Sequence, residues 1–366
     1  MDNHINATSV TSTTLQHLLL YCRPGFEKEC AAEIQNTLLD CDVAGYANAQ
    51  PDSGFVLFTP YEPNEIPRLM REIRFFELIF ARQLIFTAPV LTELPVDDRI
   101  TPLLNCAESL SPYYSEILLE TADTNEAKSL SVFVRKFAGP LAKAASLRGM
   151  SDSGSKKKHP GLHLFFSDSS KAYVGLSRSG NSSPWLMGIP RLKFPRSAPS
   201  RSTLKLEEAF HFFLGENPRQ LEPAMTAVDL GAAPGGWTWQ LVKRSIRVTA
   251  VDNGPMDRQL LESGIVEHVR ADGFRFRPAK PVDWLVCDMV EQPARIARLV
   301  AQWMAEGLCR YAIFNLKLPM KKRYDEVRRC REIMEVMLDD AEIPFQLRFK
   351  QLYHDREEVT GYLVRL

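Results

Sequence analysis

Residues 228–237 read VDLGAAPGGW, after an apolar stretch and before a helix-like segment at 237–242. The order is strand, Gly-rich turn, helix start. Glycines let backbone approach a ligand closely, and a helix N-terminus presents unpaired N–H groups, so the turn reads as a cofactor cradle. Its spacing is not the G-x-G-x-x-G of dinucleotide binders, where the third glycine serves helix packing beside a pyrophosphate. A shorter, less anionic cofactor is favoured, and S-adenosylmethionine is the candidate.

Outward from this turn, strands and helices alternate over residues 200–366. Helix 203–213 opens the region behind Ser202, a capping residue type. Strands follow to 230 and at 248–253, 266–269, 284–289 and 311–316, with helices at 237–242, 256–262, 293–306 and 324–340. Such alternation predicts a mostly parallel α/β sheet of Rossmann-like type, with ligands beyond the strand carboxyl ends. Two last strands, 345–353 and 359–366, predict an antiparallel closing hairpin.

Asp252 ends the second strand about twenty residues after the turn, where a carboxylate can accept both ribose hydroxyls of an adenosine. Asp272, in the turn after the next strand, is placed to reach the adenine edge. A loop-capping aspartate is the alternative at either position. Asp288 and Lys317 each end a strand and project over the same sheet edge; for Lys317 the alternative is a snorkelling amine. Lys205, on the helix before the sheet, and Glu358 complete the group.

Residues 16–89 follow a βαββαβ order, that of a ferredoxin-like sandwich, with Phe26, Cys30, Ile34 and Leu38 at four-residue steps on one helix face. Residues 90–180 begin as a Pro-punctuated link and continue as strand 116–121, helix 126–147 with a kink expected at Gly139 and Pro140, and strands 163–167 and 172–177. Lys156, Lys157 and Lys158 lie in a loop; alone, such a run is more often solvated than a binding site. From 169 to 206 there is no Asp or Glu but seven cations: Lys171, Arg178, Arg191, Lys193, Arg196, Arg201 and Lys205. Tyr173, Trp185 and Phe194 are interleaved with them, the composition an RNA groove needs, with a basic linker at 181–199 as the alternative reading.

The chain has 366 residues, net charge zero, and 45% hydrophobic residues, which predicts a soluble protein of two or three domains. Seven cysteines without a C-x-x-C pair predict reduced thiols, no metal and a cytoplasmic location. Residues 1–15 are polar, neither signal peptide nor membrane anchor, and are expected to fray. A monomer without an obligate protein partner is expected.

The motifs R-S-x-x-K-L-x-E, D-L-G-x-x-P-G-G-W, C-D-M, K-L-P-M-K and R-E-E-V resemble the FtsJ-type ribosomal RNA 2′-O-ribose methyltransferases. With Y-C-R-P-G-F-E-K-E-C-A-A-E, A-D-T-N-E, M-G-I-P-R-L-K-F-P and N-L-K-L-P-M-K-K-R-Y, roughly residues 17–360 are similar to bacterial enzymes of that kind acting on 23S rRNA. The resemblance implies a ferredoxin-like domain, a THUMP RNA-binding domain at 90–180 and a methyltransferase domain at 200–366. It implies 2′-O-methylation of a cytidine in the peptidyl-transferase part of 23S rRNA or a large-subunit precursor. It also implies a tetrad at Lys205, Asp288, Lys317 and Glu358, with Glu357 competing for the last place. Cofactor contacts fall on Ser202, Ala233, Pro234, Gly235, Gly236, Asp252, Asp272 and Asp288, and RNA contact is expected at Lys156, Lys157, Lys158, Arg191, Lys193, Arg196 and Arg201.

A ribose hydroxyl is a weak nucleophile at neutral pH, so such a site must align it with the methyl donor and remove its proton. Lys317 is the expected general base, its pKa lowered by burial and by Lys205, with Asp288 orienting it. A cytosine-C5 mechanism needs a nucleophilic thiol, yet Cys287 lies inside an apolar strand without a preceding proline. An exocyclic-amine enzyme would show an Asn/Asp-Pro-Pro-Tyr loop where this chain has CDMVEQP. A non-catalytic RNA-binding assembly factor that keeps the fold is the rival from a different class.

Overall fold

The computed structural model describes residues 14–150, 159–215 and 218–366. Most of the expected frayed tail and the three lysines 156–158 lie outside these residues. The chain forms two compact units, one of residues up to 76 and 81–188, the other of 77–80 and 189–366.

In the first unit, β1 (His17–Tyr21), α1 (Glu27–Leu39), β2 (Gly45–Asn48), β3 (Phe55–Pro60), α2 (Ile66–Glu72) and β4 (Gln83–Thr87) follow the expected βαββαβ order. Cys30, Ile34 and Leu38 are buried along α1, with Phe26 at its N-cap, so the four-residue stripe is the core face. Next come α3 (Ile100–Leu110), β5 (Glu116–Thr121), α4 (Leu130–Leu147), β6 (Gly161–Asp168) and β7 (Lys171–Ser177). All seven strands form one sheet, β2-β3-β1-β4-β7-β6-β5, because β4 pairs antiparallel with β7.

Helix α3 corrects the reading of this stretch as a link. Pro102 sits in its first turn, where the N–H has no helical acceptor, so the proline does not oppose the helix there. The Asp98 carboxylate accepts the Thr101 N–H at 3.0 Å just before it. The helix expected at 126–147 begins as a 3₁₀ turn, Glu126–Ser129, and Gly139 and Pro140 lie within continuous α4. A cleft of about 450 Å³ on this unit, walled by Phe55 and Tyr173, carries Asp52, Glu126 and Asp168 against Lys171. That charge balance does not suit a phosphate backbone.

The second unit runs α5 (Thr203–Leu214), β8 (Thr226–Leu230), α6 (Gly236–Val242), β9 (Arg247–Val251), α7 (Arg258–Glu262), β10 (Val266–Val269), β11 (Val282–Cys287), α8 (Pro293–Ala305), β12 (Cys309–Lys317), α9 (Arg323–Asp340), β13 (Phe345–Lys350) and β14 (Glu358–Arg365). Its sheet order is β10-β9-β8-β11-β12-β14-β13. The first five strands are parallel, and β14 enters antiparallel between β12 and β13. This is the Rossmann-like sheet of class I methyltransferases with its antiparallel closing hairpin.

Its core is aromatic. Trp284 of β11 is fully buried, stacked on Tyr311 at 4.9 Å and met edge-on by Phe210 of α5 at 5.9 Å. Burying a side chain such as Phe210 contributes about 1.5–3 kcal/mol, so α5 is held to the sheet by its apolar face. That docking places Lys205, near the start of α5, at the strand ends.

Candidate active site

The order of β8 and its neighbours reverses between β8 and β11, which opens a crevice at the strand carboxyl ends. Asp229 of β8 is fully buried, and its Oδ2 accepts the Thr238 hydroxyl at 2.6 Å. Its Oδ1 has no hydrogen-bond partner among the described residues. Burial, reinforced by the charges of Asp288 and Asp252, pushes its carboxyl up to about 7 against the opposing Thr238 bond. A buried acid with an open oxygen and two further carboxylates in Coulomb range suits a cationic ligand. The sulfonium and ammonium of S-adenosylmethionine meet that requirement.

The other expected cofactor residues surround the same turn. Asp252 accepts the Ala233 N–H at 3.0 Å and the Gly254 N–H at 2.7 Å, so it braces the Gly-rich loop. Asp272 accepts the Phe274 N–H at 2.9 Å and is half exposed. Both therefore make the loop-capping bonds considered as alternatives, while their carboxylates keep further acceptor capacity. Pro234 O accepts the Asp257 N–H at 2.9 Å, fixing the far side of the turn.

The glycines are required first by protein contacts. At Gly235, φ is +117°, a conformation that favours glycine. A Cβ on Gly236 would overlap Ser202 Oγ and come within 2.7 Å of Ser200 Oγ and 3.2 Å of Thr203 N. Ser202 thus corrects one expectation: it precedes α5, but its hydroxyl makes no capping bond and contacts Ser200 Oγ at 2.6 Å instead. Its backbone is already helical there, at φ −60° and ψ −20°, unlike the extended N-cap whose side chain reaches forward.

Four charged side chains converge beside the turn. Lys317 Nζ donates to Asp288 Oδ1 at 2.6 Å and to Glu358 Oε2. Lys205 Nζ contacts Glu358 Oε1 and stands 3.6 Å from Asp288 Oδ2. The cluster alternates in sign around a square, and register explains it: Lys317 and Glu358 are direct partners across β12 and β14. Glu358 is 4% exposed, whereas the neighbouring Glu357 points away to Arg323 Nη2 at 2.7 Å. Alternation along the strand allows only one of the two to face the lysines.

Lys317 departs from the expected depressed pKa. Burial alone would lower it, but the charges and hydrogen bonds of Asp288 and Glu358 outweigh burial and hold the ammonium above the ordinary lysine range. The expectation gave Lys205 too much weight, because its charge is balanced by the same two carboxylates.

Besides Asp229, which the sequence offered only as part of the turn motif, two residues of this site escaped sequence reading. Asn315 Nδ2 donates to Asp288 Oδ1 at 3.0 Å, and Thr360 faces Asn315 across the ladder. The signal that could have found them is period two: Asn315 and Thr360 lie two residues from Lys317 and Glu358 on the same strand faces. Cys287 is buried, and burial pushes its thiol up to about 12, which disqualifies it as a nucleophile.

The seven cations of the acid-free stretch are divided between the two units. Lys171 and Arg178 belong to the first unit, where Arg178 donates to the Arg71 carbonyl at 3.1 Å. Lys205 lies in the charged square. Tyr173 is a core residue packed against Phe165 and Phe55, and Trp185 is half-buried. Arg191, Lys193, Arg196 and Arg201 remain on the surface of the second unit with exposed Phe194, which Arg201 overlies at 5.9 Å. The loop carrying them ends at Pro199, Ser200 and Ser202, against Gly235 and Gly236.

A class I methyltransferase sheet with a charged lysine–carboxylate square beside its Gly-rich turn defines the class. Comparison with known proteins gives the family. Residues 15–85 match the RlmM ferredoxin-like domain, 98–178 the N-terminal domain of ribosomal RNA large subunit methyltransferase M, and 198–336 the FtsJ-like methyltransferase domain. The chain is 58% identical over 351 residues to ribosomal RNA large subunit methyltransferase M of Methylococcus capsulatus, covering 96% of this chain and 99% of that one. The enzyme of the same name from Cellvibrio japonicus is 53% identical, over 95% and 99% of the two chains. The chain belongs to the ribosomal RNA large subunit methyltransferase M family. Among the described residues, no helix is long and apolar enough to cross a membrane.

Proposed function

We propose that the protein transfers a methyl group from S-adenosylmethionine to the ribose 2′-hydroxyl of a cytidine in the peptidyl-transferase region of 23S rRNA. The observation that carries the reading is the placement of Lys317 between Asp288 and Glu358, beside the acid-lined turn. The nucleotide itself is inferred from the family resemblance. Asp229, Asp252, Asp272 and Asp288 would hold the cofactor with the backbone of Ala233, Pro234, Gly235 and Gly236. The cofactor supplies an electrophilic methyl on a sulfonium. The protein's task is to align and deprotonate a weak nucleophile.

Lys317 is charged at rest and must lose a proton before it can take one from the ribose. The square holds two amines and two carboxylates. A proton passing from Lys317 to Glu358 gives a neutral amine and a neutral acid without changing the total charge. Lys317 then accepts the 2′-hydroxyl proton as the oxygen bonds to the methyl and the methyl–sulfur bond breaks, Glu358 gives its proton up to solvent as product leaves, and the square returns to its resting charge with Lys205 balancing Asp288. Residues 16–89 and 90–180, the latter as a THUMP domain, bind the RNA; the basic linker 181–199 leads to a methyltransferase domain at 200–366. Arg191, Lys193, Arg196 and Arg201 hold the acceptor strand.

The test is mass-spectrometric mapping of ribose methylation in rRNA from a strain lacking the gene. One 2′-O-methylcytidine should disappear and return with the wild-type gene but not with Lys317→Ala. Unchanged methylation in that strain overturns the assignment. Restoration by Lys317→Ala removes the lysine from the mechanism and favours another base.

A further inference from the structure

Behind the square lies a second polar layer. Thr360 Oγ1 is 2.8 Å from Asn315 Oδ1 and 3.2 and 3.0 Å from Oδ1 and Oδ2 of Asp355. All three residues are at most 1% exposed. A threonine hydroxyl carries one proton, so it cannot donate to Asn315 and Asp355 together.

The orientation of Asn315 decides where that proton goes. Asp288 Oδ1 accepts from Lys317 and must meet the N–H side of the amide, 3.0 Å away. The amide oxygen therefore faces Thr360, and an amide oxygen only accepts. Thr360 thus stands between two acceptors with one proton, and whichever takes it, the other contact is oxygen against oxygen unless Asp355 itself bears a proton.

We infer that Asp355 is a neutral carboxylic acid which, through Thr360 and Asn315, positions Asp288 against Lys317. Asp355 O–H donates to Thr360, Thr360 donates to Asn315, and Asn315 donates to Asp288. Burial foremost, then the charge of Glu358 and that of Glu208, hold the Asp355 carboxyl well above the usual carboxylate range. The Leu352 N–H, 3.0 Å from Oδ2, and Lys205 work in the opposite direction. Unfulfilled hydrogen bonding here would be costly, since a buried polar network is stabilising only when every member is satisfied. Asp355 and Thr360 are positioning residues, and the inference rests on the reading of Lys317 as the base.

Two measurements test it on the full-length protein. In the infrared difference between wild type and Asp355→Asn at neutral pH, the substitution should remove a protonated-carboxyl C=O band; loss of an ionised-carboxylate band instead overturns the inference. With rRNA from the deletion strain and labelled S-adenosylmethionine, Thr360→Val should lower kcat by about tenfold or more, the scale of a displaced catalytic group, with calorimetric cofactor affinity preserved. Thr360→Ser, which keeps the hydroxyl, should recover most of the loss. Wild-type kcat in Thr360→Val overturns the positioning role. Activity surviving in Lys317→Ala would instead strike the underlying reading, and the infrared result would stand apart from it.

Discussion

Lys317 Nζ lies 2.6 Å from Asp288 Oδ1 and also contacts Glu358, so the lysine is an ammonium in the resting site. Its raised pKa has a definite sign: the pairing stabilises the fold at and below the ordinary lysine pKa and is lost only as pH rises through the higher folded value. Lys317→Ala should reduce methyl transfer by about 10²–10⁴, the usual contribution of a general base, with cofactor affinity retained. Lys317→Arg is the sharper variant, because it keeps the charge but arginine does not deprotonate in proteins. Substantial turnover in Lys317→Arg, measured with labelled cofactor, would show that the position supplies charge and not a base.

Adjacent glutamates should behave oppositely. Glu358 is buried between two lysines, and Glu357 pairs with Arg323 at the surface. Glu358→Gln should lower kcat by about 10² or more, since it leaves both lysines short of a counter-charge and removes the proton acceptor for Lys317. Glu357→Gln should leave kcat unchanged. Equal losses in steady-state assays of the two variants would mean that the strand register differs in solution.

These residues show what a sequence can convey. Strand ends were legible because apolar runs stop at Leu230, Val251, Cys287 and Leu316, and the sheet's alternation fixes which edge they share. The convergence of Lys205, Asp288, Lys317 and Glu358 followed from the family motifs. What distinguishes Glu358 from Glu357 is the antiparallel register with β12, a long-range property. The Lys317 pKa depends on two acids at hydrogen-bond distance, which no spacing rule supplies. Helix α3 was hidden because proline is permitted in a first turn and the surrounding prolines read as a link. Net charge along the chain did not tell that Lys205 is neutralised by two carboxylates while Arg191, Lys193, Arg196 and Arg201 stay at the surface.

Asp229 should trade stability for binding. Its folded pKa, pushed up to about 7 from 3.8, means that the folded state binds more protons than the unfolded between those values. Stability therefore falls as pH rises through that window, and the full penalty, about 4 kcal/mol at most, is present above pH 7. Asp229→Asn should raise the melting temperature at pH 8, and the gain should shrink toward pH 4. Its affinity for S-adenosylmethionine in calorimetry should fall, and wild-type binding near pH 6.5 should release protons. A variant that is stabilised yet binds cofactor as tightly as wild type would remove the carboxylate from the site.

Gly236→Ala should uncouple the cradle from α5. The added Cβ would overlap Ser202 Oγ and press on Ser200 Oγ and Thr203 N. Overpacking of this kind costs about 1–3 kcal/mol, and relief requires the 200–203 segment to move. The melting temperature and cofactor affinity should both drop. Since the nearest obstacle is a hydroxyl, Ser202→Gly in the same background should restore part of the stability. If the double variant melts no higher than Gly236→Ala alone, Ser200 Oγ and the backbone at Thr203 N, and not Ser202, set the constraint.

The four surface cations before α5 make a quantitative claim about RNA. If Arg191, Lys193, Arg196 and Arg201 neutralise phosphates of a single strand, replacing any one of them should reduce the slope of log K against log salt by about 0.7. Their combined substitution by alanine should flatten that slope and weaken binding most at low salt. Arg178→Ala, outside this loop, is the control and should leave the slope alone. The readout is filter binding of 23S rRNA fragments across a salt series. A slope unchanged in the quadruple variant would move the RNA path off this loop, and the lysines 156–158 would become the next cations to substitute.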